Sequence, residues 1–189
     1  MKLSRNFSLE EFTRSSRAKL KQIDNTPTQD HIDNLKKLCE AILQPVRDTL
    51  GLPLTVTSGY RSSALNTAVR GSESSQHCKG EASDFVVQGK TPKEVCELVL
   101  ELKLDFDQMI DEGTWVHISY KAQGKNRNEY LKATFDSNGK ASYTKVQSAK
   151  VATPKATTTK PKARKTDQGG NDDLSCVKPS AKPLEEDIS

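Results

Sequence analysis

The run Ser75-Gln76-His77-Cys78-Lys79-Gly80-Glu81-Ala82-Ser83-Asp84, with Trp115-Val116-His117 further along, holds the side chains best suited to chemistry. The chain has only three histidines, and two of them fall here with an aspartate between. Two imidazoles and one carboxylate form a common donor set for zinc. Three protein donors leave the fourth tetrahedral position open to water, which is the arrangement of a hydrolytic site rather than a structural one. The third histidine, His31, lies in the first turn of an expected helix and reads as an ordinary surface or capping residue.

Such donors act only if the elements around them converge. Residues 82–87 alternate as a strand, which puts Ala82, Asp84 and Val86 on one face. Residues 115–120 read as another strand, with Trp115, His117 and Ser119 on one face. If the two strands are neighbours, Asp84 and His117 point into one cleft, and His77 enters from the loop ahead of the first strand. Gly80 lets the backbone turn between His77 and Asp84, and Ala82 keeps the shared face small.

The remaining elements follow from local signals. Ser8 and Glu11 form a capping box, with Phe7 and Phe12 at staple positions. Asn25-Thr26-Pro27 is a turn. Thr28 then opens a long helix with apolar residues Ile32, Leu35, Leu38, Ile42, Val46 and Leu50, kinked at Pro45 and ended by Gly51. A short strand, Leu54-Thr55-Val56-Thr57-Ser58, precedes a brief helix at 64–69. Thr91-Pro92-Lys93-Glu94 opens a helix reaching about Lys103. Residues 106–110 read as a strand, and 130–135 with 141–146 as a hairpin around Asn138-Gly139. Helices come first and antiparallel strands later, so the expected class is α+β, with helices packed on a small, mainly antiparallel sheet.

Only 33% of the residues are hydrophobic, and all ten Phe, Trp and Tyr lie between Phe7 and Tyr143. Residues 1–149 therefore read as the folded domain. Residues 150–189, rich in Lys, Thr and Pro and then acidic, read as a disordered tail that cannot bury enough apolar surface to offset ordering entropy. Eight basic and six acidic residues in the tail leave a nearly neutral domain within a net charge of +4. Charge alone would let the basic segment meet teichoic acid, phosphate or nucleic acid. With no aromatic residue to stack on bases it reads as a solvated linker, and no nucleic-acid partner is expected. The four cysteines show no metal or disulfide spacing, and Cys78 reads as packing. No apolar leader or membrane-length run is visible. The expectation is a protein made in the cytoplasm without a signal peptide, with no membrane partner.

The pattern Ser75-x-His77-x-x-Gly80-x-Ala82-x-Asp84 resembles the signature of the zinc D-Ala-D-Ala carboxypeptidase family, which includes D-Ala-D-Ala dipeptidases and phage L-alanyl-D-glutamate endolysins. Ser58-Gly59-Tyr60-Arg61-Ser62 and Trp115-Val116-His117-Ile118-Ser119 resemble its carboxypeptidase-type branch, as do Leu3-Ser4-Arg5-Asn6-Phe7 and Gln44-Pro45-Val46-Arg47. The likeness covers roughly residues 3–120. It implies a hedgehog/DD-peptidase-like α+β fold and one Zn²⁺ held by His77, Asp84 and His117. It also implies Arg61 as the arginine that stabilises the oxyanion or grips substrate. Glu112 is the candidate general base, with Asp111 as its rival. In the dipeptidase branch an acid stands three residues before the last histidine, where this chain has Thr114. Ser75 could bind substrate or orient His77, and Tyr60 and Trp115 are candidate substrate contacts or cleft wall.

The function implied is a zinc metallopeptidase cutting the stem peptides of peptidoglycan, as a D-Ala-D-Ala carboxypeptidase or as an endopeptidase or endolysin. Its place of action would be the bacterial cell wall, as in a phage or prophage lysis protein. The alternatives are a non-catalytic, zinc-stabilised wall-binding or virion module, and a nucleic-acid binder acting through its tail.

Overall fold

Apolar residues recur at every second position of the predicted strands, and in the computed structural model they build one sheet with a covered face and an open one. The structure describes residues 1–137 and 139–146. The expected tail at 150–189, its boundary with a 1–149 domain, and Asn138 of the expected hairpin turn lie outside the described residues. The sheet contains β1 (Leu54–Ser58), β2 (Ala82–Val87), β3 (Gln108–Asp111), β4 (Val116–Ser119), β5 (Glu129–Phe135) and β6 (Ala141–Lys145). Their spatial order is β1-β2-β4-β3-β5-β6. Every pairing is antiparallel except β3 with β5. The class is α+β.

Val56, Phe85, Met109, Val116 and Ile118 leave the covered face and pack with residues of α3 (Gln29–Leu38), α4 (Gln44–Leu50) and α6 (Pro92–Glu101). Their neighbours Asp84, Ile110 and His117 take the opposite face, because side chains alternate along a strand. Each fully buried Leu or Phe side chain contributes about 1.5–3 kcal/mol, and Phe7, Phe12, Phe85 and Phe106 are all of this kind.

At the amino end, α1 (Leu9–Thr13) starts at the Ser8–Glu11 capping box, and the Phe7 and Phe12 rings meet edge to face at 6.1 Å. The stretch Leu3–Phe7 docks on Gln44. The Ser4 hydroxyl and the Asn6 backbone N–H both donate to its Oε1, at 2.9 and 3.1 Å, while Arg47 lies over the Phe7 ring. Two of the resembling motifs are thus each other's packing partners. A helix that the sequence reading missed, α2 (Ser16–Lys21), is capped by the Ser15 side chain. It buries only Ala18 and leaves Leu20 in solvent, so it carries no apolar stripe to betray it.

The kink expected at Pro45 takes another form. A π-turn at Cys39–Leu43, with the Gln44 N–H donating to the Cys39 carbonyl, separates α3 from α4. Pro45 has no N–H for the preceding turn, and widening that turn by one residue absorbs the loss. Gly51 ends α4 in a left-handed conformation, as expected. The brief helix is α5 (Ser63–Ala68), and a 3-10 turn, Gln76–Lys79, replaces the expected loop around His77.

Asn126, Arg127 and Asn128 tie the connection between β4 and β5 to the segment at 105–107. Asp107 has no exposed surface, yet it accepts from Arg127 Nη2 at 2.6 Å and Lys121 Nζ at 2.9 Å. Burial alone would raise its carboxyl, but the hydrogen bonds from Arg127 and Lys121 outweigh that and hold it at about 2. A carboxyl depressed on folding stabilises fully above its unfolded value of about 3.9 and loses that contribution as pH falls through the folded value. Thermal melts should therefore show the wild type losing stability between about pH 4 and pH 2. An Asp107→Asn variant, less stable at pH 7, should lose less across that window.

Candidate metal centre and cleft

Antiparallel register places Asp84 of β2 directly opposite His117 of β4, and His117 opposite Ile110 of β3. His77 reaches them from the 3-10 turn, which closes on Gly80 in the left-handed conformation. A Cβ at Gly80 would lie 2.4 Å from the His31 carbonyl oxygen, so glycine is required there by both backbone angle and space. His31 itself caps α3, accepting from the Thr28 N–H at 3.2 Å, and stacks on Tyr60 at 4.7 Å.

The three side chains converge. His77 Nε2 lies 3.2 Å from Asp84 Oδ1 and 3.3 Å from His117 Nδ1, while His117 Nδ1 lies 2.8 Å from Asp84 Oδ1. Donors set about 2.0–2.2 Å from one tetrahedral ion are about 3.3–3.6 Å apart. One of the separations already matches, a second falls about 0.1 Å short, and the third must open by about 0.5 Å as its hydrogen bond gives way to coordination. The cluster fits a divalent metal.

Protonation favours the same use. His77 is buried, and its Nδ1 lies 2.7 Å from the Gly59 carbonyl. A carbonyl can only accept, so Nδ1 carries the proton and Nε2 offers its lone pair to the cluster. Burial lowers the His77 pKa, with the Asp84 charge opposing, which favours the neutral ring that metals bind. Burial alone would raise Asp84, but the imidazole cluster on one oxygen, with His117 Nδ1 at 2.8 Å, and the Arg61 guanidinium on the other hold it well below the usual carboxylate range.

The other oxygen of Asp84 is also taken. Arg61 Nη2 donates to Oδ2 at 2.7 Å, and Arg61 Nε donates to the Ser58 hydroxyl at 2.9 Å. Asn25 braces the turn that carries Arg61, donating to the Thr13 and Tyr60 carbonyls and accepting from the Ser62 N–H at 2.7 Å. The sequence reading treated Asn25 as a turn residue only. Its reach across thirty-seven positions leaves no local signal. Gly59 likewise stands in the sequence only as part of a motif. Its carbonyl holds His77, and a Cβ there would lie 2.6 Å from the Phe12 backbone.

A cleft of about 590 Å³ opens over the cluster, lined by Arg61, Ser75, His77, Asp84, Glu112, Trp115 and His117. Gln108, Ile110, Arg127 and Tyr143 also line it, and the sequence reading had singled out none of them. Glu112 is buried, and that burial raises its carboxyl above the ordinary range, with Asp84 and Asp111 adding to the effect and His117 opposing it. Asp111 does not line the cleft. It accepts from the Gly113 N–H at 2.9 Å, and its charge is felt by Cys96 and Tyr130. Tyr60 is buried and lines a separate groove of about 620 Å³ beside β1, which holds none of the three metal donors. Ser75 precedes the 3-10 turn and lines the cleft, while His77 Nδ1 is held by Gly59 instead. The only metal-competent group of three or more donors among the described residues is His77, Asp84 and His117, and Cys78 is not part of it.

The sequence model of the Peptidase M15 family matches residues 5–119, more than half of the chain. The chain belongs to this family, whose members are metallopeptidases. No curated protein matches it. No helix among the described residues is long and apolar enough to cross a membrane.

Partners that hold a metal ligand in place usually matter about 10- to 100-fold in affinity. Arg61→Met should therefore weaken divalent-metal binding by about that factor, measured by competition with a chromogenic chelator. Asp84→Ala should lose binding altogether.

Proposed function

We propose that this chain is a zinc-dependent peptidase that hydrolyses peptide bonds in the stem peptides of peptidoglycan, acting at the bacterial cell wall. His77, Asp84 and His117 hold one Zn²⁺ in this reading, within a peptidase domain at 1–149. The observation that carries it is the convergence of three metal-competent donors beneath a cleft whose wall presents a buried carboxyl, Glu112, raised above its ordinary range. Membership of the M15 family and the likeness of the motifs to its carboxypeptidase-type branch support the substrate class.

Bound zinc would polarise the scissile carbonyl and acidify the attacking water. Glu112 accepts the proton from that water and passes it to the leaving amine, work that suits a carboxyl moved toward neutrality. Asp84 stays ionised throughout, held so by its two histidines and Arg61. Arg61 fixes Asp84 with one edge of its guanidinium and keeps further N–H groups for the developing oxyanion. Trp115 and Ser75 form the wall against which the peptide lies. A purely structural zinc module has no use for a raised carboxyl lining the same cleft as the donor set, so the catalytic reading is preferred over the binding one.

Purified peptidoglycan digested with and without chelator, then examined by mass spectrometry, tests this directly. New peptide termini that vanish with chelator are expected, and their identity distinguishes a carboxypeptidase from an endopeptidase. His77→Ala, Asp84→Ala and His117→Ala should lose zinc and activity together. Glu112→Gln should keep zinc while turnover falls by about 10²–10⁴-fold. Full turnover in that variant would remove Glu112 from the reaction.

A further inference from the structure

The family match ends at residue 119, but the cleft does not. Arg127, two residues ahead of β5, and Tyr143, on β6, both line it, and both come from the segment that follows the matched region. Arg127 is half exposed and firmly held. Its Nε lies 3.1 Å from both oxygens of Asp107, its Nη2 lies 2.6 Å from Oδ2, and its Nη1 lies 3.4 Å from Glu129. Asp107, which receives it, is wholly buried and also takes Lys121, while Glu129 also faces Lys145 at 3.9 Å. The cluster therefore joins three cations to two carboxylates and keeps a net positive charge. A guanidinium has five N–H groups. Three are engaged here, which leaves two without a protein partner among the described residues, on a group fixed at the cleft wall. Arg61, which also lines the cleft, already spends a donor on Asp84.

We infer that Arg127 is a substrate-binding residue that recognises a carboxylate of the peptide lying in the cleft, with Asp107 as its positioning residue. The inference rests on the peptidase reading above and adds to it the chemistry of selection. A buried, doubly neutralised carboxylate fixes the guanidinium in place, so little side-chain entropy is lost when an anion arrives. A stem peptide with lysine at its third position carries two such anions, the α-carboxylate of the D-glutamyl residue and the C-terminal carboxylate. Both present the same planar acceptor, and the test separates them. Tyr143 adds an aromatic surface beside that position and senses the charge of Glu112.

The test uses the zinc-loaded full chain and three synthetic peptides: L-Ala-γ-D-Glu-L-Lys-D-Ala-D-Ala, its D-glutamyl α-amide, and its C-terminal amide. Binding is read from the fluorescence of Trp115, the only tryptophan, which lines the cleft. Cleavage is read separately by mass spectrometry. For the wild type, one of the two amides should bind about 10- to 100-fold more weakly than the free acid, and that amide names the anion. Arg127→Met should weaken binding of the free acid by the same factor and should not weaken binding of the discriminating amide further. Arg127→Lys should recover part of the loss, because it restores the charge without the fork. If Arg127→Met does not fold, Arg127→Lys must itself show the amide-selective loss. Equal loss on all three peptides, or none, would make Arg127 a brace for its loop and overturn the inference. Binding that discriminates between the amides without any cleavage would sink the peptidase reading and leave this one standing.

Discussion

The carboxylate of Asp84 is the point on which the rest of the site depends. One oxygen faces two imidazoles and the other a guanidinium, in surroundings that exclude most water. A charge placed there would cost several kcal/mol without partners. The structure supplies them from three separate stretches of chain, and each must be delivered to within a few tenths of an ångström. Strand register does most of that work, since sliding β4 by one residue against β2 would send His117 into the core and bring Val116 or Ile118 to the cleft. The apolar neighbours that fill the covered face therefore keep the polar residues aligned.

Much of this was legible in the sequence, because alternation and capping are local properties. Period-two patterning gives Asp84 and His117 each a strand face, and one cleft only if their strands are neighbours; the register makes them neighbours. The capping boxes at Ser8 and Thr91 stand where they were read. What escaped was long-range or weakly patterned. The α2 helix lacks an apolar stripe, and the π-turn before Pro45 depends on a missing donor whose consequence only the folded helix reveals. Asn25 acts on residues far along the chain. Arg127 and Tyr143 become cleft residues only because β5 pairs in parallel with β3, a crossover that no turn signal announces. Glu112 and Asp111 were close rivals in the sequence. Their different surroundings arise because adjacent residues leave the backbone on opposite sides, so that Glu112 meets the cleft and Asp111 does not.

The polar residues divide by origin. Those that gather around the metal-competent cluster lie inside the region shared with the M15 family, and so do Gly59, Ser58 and Asn25, which orient them. Two further lining residues of the cleft, Arg127 and Tyr143, come from the segment after residue 119. Such a division lets a reaction centre stay fixed while the appended strands change what is admitted to it, since the two parts meet at the β3–β5 edge and share no ligand.

Gly59 does two things at once. Its backbone lies against that of Phe12, and its carbonyl sets the tautomer of His77. Phe12 is stapled to Phe7, which closes the amino-terminal stretch that docks on Gln44. A continuous line of packing thus runs from residues 3–7 to an imidazole nitrogen. Disturbing residues 3–7 is therefore a mechanical intervention on the reaction centre, though none of them lies near it in the chain.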